Sequence, residues 1–152
     1  LINQAYIKVL VMSESNLATD FLVGQSFLHS KLQRKVDGQL SVHGISFTEY
    51  QIMHYLAKAP EQTMRRIELA DCVGISASGV TRLLAPMEKN HIVEKRSNPR
   101  DARVSLVKLS EPGKVLFEDA SISFSYCAQS LTSALSTKQL ESLIDLSSRL
   151  IS

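Results

Sequence analysis

Leu17, Phe21, Leu28, Leu32, Val36 and Leu40 recur at spacings of four and seven, which predicts one stripe of a long amphipathic helix ending between Gly38 and Gly44. Such a helix is longer than a small core needs. Thr48 with Gln51 has the spacing of a capping box, and Ile52, Met53, Leu56 and Ala57 supply the buried face of a short second helix. Ala59-Pro60 closes it, because proline disfavours α geometry in the residue before it.

Ile67, Leu69, Ala70 and Val73 predict another short helix, ended by Gly74, whose missing Cβ permits a left-handed turn. A new helix follows at once. Ser76 is a good N-cap, and Val80, Leu83, Leu84 and Met87 stand at i, i+3, i+4 and i+7, opposite Ser78, Thr81 and Arg82. Ile92 to Arg96 and Val104 to Leu109 are β-prone runs, and the composition of Ser97 to Ala102 between them favours a turn. Ser110-Glu111-Pro112 opens a further helix, whose face continues through Leu116, Ala120, Phe124, Cys127 and Leu131. The last helix starts at a capping box of Ser136 and Gln139 with Leu135 and Leu140 as hydrophobic staple, and Leu143, Ile144 and Leu150 continue its stripe.

The pattern therefore predicts a mainly α chain with one small β-hairpin. At 152 residues and 44% hydrophobic content the chain can bury a real core without a metal or disulfide staple. Cys72 and Cys127 lack metal or redox spacing and fall on apolar helix faces, which predicts buried, inert thiols in a reduced cytoplasmic protein. No targeting signal or membrane span is read. His29, His43, His54 and His91 are scattered singly, and no nucleotide-binding glycine loop, HExxH or nucleophile elbow occurs, so no metal, cofactor or enzymatic reaction is assigned.

Net charge is only +2, but its distribution is uneven: Arg65 to Lys108 holds nine basic and five acidic residues. Position then gives the excess a meaning. Ala70 stands four residues before Gly74 and Val80 six after it, the spacing of a helix-turn-helix in which the second helix packs back on the first. Ser76, Ser78, Thr81 and Arg82 then face outward, where hydroxyls can meet phosphates and Arg82 can fork onto O6 and N7 of a guanine. In the hairpin, Arg100 and Arg103 flank Asp101 at a tip suited to a minor groove, with Asp101 orienting a neighbouring arginine. Arg65, Arg66 and Lys95 are further phosphate candidates.

Leu69-Ala70 through Gly74-Ile75-Ser76, Val80-Thr81-Arg82-Leu83, and Asp101-Ala102-Arg103 followed by Leu109-Ser110 and Gly113 together resemble the MarR family, the multiple-antibiotic-resistance regulators. The resemblance runs from about Ala18 to Ser152. It implies a single domain over 13–152, with a winged helix-turn-helix at about 46–110 and dimerisation helices at about 15–40 and 111–151. It further implies a cytoplasmic homodimer that places paired recognition helices in successive major grooves of a double-stranded, pseudo-palindromic operator, with wings in the flanking minor grooves. Repression is the expected outcome, and a small phenolic or other anionic effector the expected control, with Phe27, Tyr50 and Met53 as candidate pocket residues. Two departures stand out: Ala102 occupies a place where the family commonly has arginine, and Pro86 falls inside the recognition helix, where a local bend is expected. Leu1–Met12 lies outside the resemblance, either as an extra packing segment or as a remnant ahead of a start at Met12. Two other readings remain open at this point: a cysteine-based redox sensor, although the first helix holds no cysteine, and a winged helix used only to bind protein.

Overall fold

The computed structural model describes residues 16–98 and 101–151. Helix α1 spans Leu17–Leu40, with Asn16 as N-cap accepting from the Ala18 N–H, and a 3-10 turn at Ser41–His43 follows it. Only Val36 and Leu40 at its C-terminal end are buried; Leu17, Phe21, Leu22, Val23, Phe27, Leu28 and Leu32 all face outward within one chain. Among the described residues, no helix is long and apolar enough to cross a membrane.

Helix α2 spans Phe47–Lys58, and its cap corrects the expected one. The capping box is Ser46 with Glu49, not Thr48 with Gln51: Ser46 Oγ accepts the Glu49 N–H at 3.2 Å, while Glu49 Oε2 accepts the Ser46 N–H at 2.7 Å. The next free amide, that of Phe47, donates to Asp37 Oδ1 of α1 at 2.6 Å. Two carboxylates thus meet the positive end of α2. Ser46→Ala should cost about 1 kcal/mol and lower Tm by roughly 2–4 °C, while Thr48→Ala should move it little; thermal melts of the two variants separate the two caps.

After Pro60 comes a strand that the hydrophobic pattern did not announce. Strand β1, Thr63–Arg65, pairs antiparallel with β3, so the expected hairpin is in fact two of three strands in the order β1-β3-β2. Strand β2 covers Val93–Asn98 and β3 covers Asp101–Leu109. Ser97, Asn98, Asp101 and Ala102, expected in a turn, therefore belong to strands, and a register shift at Ser97/Asn98 lets Asn98 pair with Asp101. Cross-strand pairing overrides the turn preference of the residues taken singly.

Helix α3 is Arg66–Val73, α4 is Ala77–Lys89, α5 is Glu111–Thr132 and α6 is Thr137–Leu150. The end of α1, α2, α3, α4, the sheet and the start of α5 converge on one core, where Leu40, Ile52, Met53, Leu56, Leu69, Val80, Leu84, Met87 and Val107 are fully buried. Ile67 departs from its expected burial, being 54% exposed, and Val73 and Leu83 are half-buried. Cys72 is exposed and Cys127 half-buried, which corrects the expectation of two sealed thiols. Cys72 sits two positions past Ala70, about 200° round a helix that buries only Leu69 and Ala70. The Ser136–Gln139 capping box on α6 is present as expected, yet α6 buries no residue within the chain.

Ser110 is the buried polar residue of the described chain, and it welds the wing to α5. Its Oγ reaches the carbonyls of His91 and Ile92 and accepts the Gly113 N–H at 2.9 Å, while its own N–H donates to the Ile92 carbonyl at 3.1 Å. The same loop is tied to the end of α4, because the Ile92 N–H donates to Met87 O at 2.9 Å.

Candidate nucleic-acid interface

Gly74 closes α3 at φ 71°, a left-handed conformation that glycine adopts without steric cost, and the Ile75 N–H returns to Ala70 O at 3.1 Å. The chain is thereby turned within two residues into Ser76, whose Oγ accepts the Gly79 N–H at 3.1 Å as the N-cap of α4. Val80, Leu84 and Met87 bury one side of α4, which leaves Ser76, Ser78, Thr81 and Arg82 exposed on the other. All four candidate groove residues are thus on the surface.

Their polar groups are not equally available. Ser76 Oγ and Ser78 Oγ are 3.1 Å apart, and Thr81 Oγ1 donates to Ala77 O at 3.0 Å, so three hydroxyls are bonded within their own helix. Arg82 forms no ion pair among the described residues. Pro86 is exposed, and the helical run continues unbroken past it to Lys89. Its missing N–H is the one that would have faced Arg82 O, a carbonyl on a helix with water on that side.

The wing candidates divide. Arg100 lies outside the described residues, and Asp101 and Arg103 are placed by the backbone of β3, Asp101 opposite Asn98. Lys95 is exposed on β2 across from Val107. Arg96, which the sequence did not single out, is also exposed and pairs with Glu94 at 2.8 Å. Of the other phosphate candidates, Arg65 is exposed, with Nε 3.1 Å from Glu68 Oε1. Arg66 is not comparably available: its guanidinium is half-buried and donates to Glu88 of α4 at 2.8 Å.

The three candidate pocket residues are not brought together. Tyr50 and Met53 are core residues, with Tyr50 stacked on Phe117 and tilted against Phe124 of α5 at centroid distances of 5.4 and 4.6 Å and its hydroxyl 3.1 Å from Ser121 Oγ. Phe27 stands outside that cluster on the exposed side of α1, with Lys31 Nζ 5.2 Å above its ring. The same aromatic joint holds His54, whose imidazole pKa is lowered first by burial and then by Lys58. A second polar link, His43 Nε2 to Ser123 Oγ at 2.8 Å, fastens the 3-10 turn to α5. An open groove of about 590 Å³ lies elsewhere, along Leu135, Lys138, Gln139, Leu143 and Leu146.

Comparison with known proteins bears on the same segment. A family model described as the MarR family matches residues 43–104, which takes in α2, the helix-turn-helix and most of the wing. The chain is 26% identical over 125 residues to the transcriptional repressor MprA of Escherichia coli, covering 82% of this chain and 71% of that protein. Among solved structures, it resembles Sco3205, a MarR family transcriptional regulator from Streptomyces coelicolor in complex with DNA, at TM-score 0.80 and 23% identity over 91% of this chain and 89% of that one. It also resembles a mutant MarR from Escherichia coli complexed with operator DNA, at TM-score 0.77 and 22% identity over 91% of this chain and all of that one.

Proposed function

We propose that the chain is a transcriptional regulator of the MarR kind, acting as a cytoplasmic homodimer that recognises a pseudo-palindromic DNA operator and represses the adjoining promoter by blocking polymerase; the family model over residues 43–104 and the likeness to the repressor MprA support this reading. The observation that carries this reading is the outward face of α4, with Ser76, Ser78, Thr81 and Arg82 exposed directly after the Gly74 turn. Arg82 is the residue best able to read a base, since the neighbouring hydroxyls already have partners. The hydroxyl-bearing first turn suits backbone phosphate, and Arg103, Arg100, Asp101 and Lys95 serve the wing. Half-sites lie about 34 Å apart, one helical turn, so that both copies of α4 reach the same side of the duplex. An effector that docks against Tyr50 and Met53 has to open their packing first.

Selection of bound duplexes from a random pool, at a stated salt concentration, supplies the site. On that duplex Arg82→Ala should weaken binding by about 1–3 kcal/mol, roughly 5- to 150-fold, and relax preference at one base position per half-site. Unaltered affinity would remove Arg82 from the interface. Affinity for the duplex should also fall steeply with added salt, as released counterions demand. A winged helix that bound only protein through apolar contacts would lack that slope.

A further inference from the structure

Away from the exposed face, the two helices of the helix-turn-helix share an ionic contact. The pairs Arg65–Glu68, Arg96–Glu94, Lys114–Glu111 and Arg149–Asp145 each join near neighbours in sequence. Arg66–Glu88 instead joins α3 to α4. Arg66 is the first residue of α3 and Glu88 lies in the last turn of α4, so both stand at the ends remote from the Gly74 turn. Near the turn the helices are held by the chain itself, and along their length by Leu69 and Ala70 in one core with Val80 and Leu84. The far end is closed by this pair, with its side chains only 26% and 31% exposed and Arg66 Nε buried without a hydrogen-bond partner.

We infer that Arg66 and Glu88 are positioning residues for DNA recognition: their ion pair fixes the tilt of α4 and so sets sequence discrimination without touching the duplex. This rests on the DNA-binding reading above. From Ser76 to Glu88 α4 extends about 18 Å, so a tilt of about 10° shifts one end against the other by about 3 Å, roughly the length of a hydrogen bond. A bidentate arginine contact does not survive such a shift, whereas attraction to phosphate, which falls off gradually with distance, largely does. The pair is also costlier to break than a surface one, because Glu88→Gln leaves a half-buried guanidinium without its counter-charge.

The test uses the full-length chain with two probes of equal length, a duplex recovered by selection and a random-sequence duplex, each titrated at several salt concentrations. Glu88→Gln should weaken the selected duplex about tenfold, leave the random duplex within about twofold, and keep the salt slope unchanged. The charge swap Arg66→Glu with Glu88→Arg should recover most of the loss, since it puts the acid at a helix N-terminus and the base at a C-terminus, where both are tolerated. The opposite sign overturns the inference: removing a carboxylate that merely sits beside phosphate would tighten both duplexes. A salt slope shallower by about 0.9 in Arg66→Gln would likewise make Arg66 a phosphate contact. In the DNA-free protein, amide exchange over residues 80–89 should speed up about tenfold in Glu88→Gln while α5 is unchanged, and equal exchange overturns the positioning role. A wild-type chain that ignores both duplexes strikes the DNA-binding reading, and the exchange measurement still decides whether the pair fixes α4.

Discussion

Gly113→Ala should destabilise the protein by about 3–5 kcal/mol, lowering Tm by roughly 10 °C or more, although helix propensity alone would have it stabilise by about 1 kcal/mol. A Cβ at this position would lie 2.0 Å from the carbonyl oxygen of Ile92, 2.9 Å from its carbonyl carbon and 3.1 Å from Leu109 Cδ1. The first obstacle is backbone, and it is pinned: the Ile92 carbonyl accepts both the N–H and the hydroxyl of Ser110. Moving it breaks those bonds and pulls on the Ile92 N–H, which is tied to Met87 at the end of α4. Gly38→Ala in α1, where nothing lies within 4 Å of the added methyl, is the matched control and should raise Tm slightly. A melt in which both variants rise together would show that α5 does not approach the wing so closely.

The largest functional effect is expected from Leu143→Glu combined with Ile144→Glu. These side chains are 49% and 69% exposed within one chain, on a helix that buries nothing and that also exposes Leu146 and Leu150. Carboxylates there touch none of the core, so far-UV circular dichroism and the melt should change little. In the proposed homodimer this surface holds the two copies together, so sedimentation should find single copies in place of pairs. Affinity for the selected duplex should fall by about 10²- to 10⁴-fold, because each half-site is then bound without the gain of a tethered second contact. A double variant that still sediments as two copies would move the dimer surface off α6.

Long amphipathic runs were readable from the chain because their period is long enough to be redundant: α1, α4, α5 and α6 each show four or more apolar positions in phase. Strand β1 was not. Thr63-Met64-Arg65 carries no alternation of its own and is a strand only because β3 lies beside it. The α2 cap shows a different limit, since Ser46 with Glu49 and Thr48 with Gln51 both satisfy the same spacing rule. What separates them is Asp37, which meets the Phe47 N–H from ten residues upstream and fixes where the helix begins. In the candidate interface, the outward face of α4 was legible from the phase of its buried face. The fates of Arg65 and Arg66 were not, because they are adjacent in sequence and the partner that distinguishes them, Glu88, is 22 residues further on.

The joint between α2 and α5 has a consequence for how any salt titration is to be interpreted. It consists of packed rings and the hydroxyl bond of Tyr50 to Ser121, supported by the bond of His43 in the adjoining 3-10 turn to Ser123, and among the described residues no carboxylate–ammonium pair crosses it. Ions that compete for phosphate find little there to compete for. Raising the ionic strength should therefore release nucleic acid while α2 stays fixed to α5, and loss of that joint adds nothing to the measured slope.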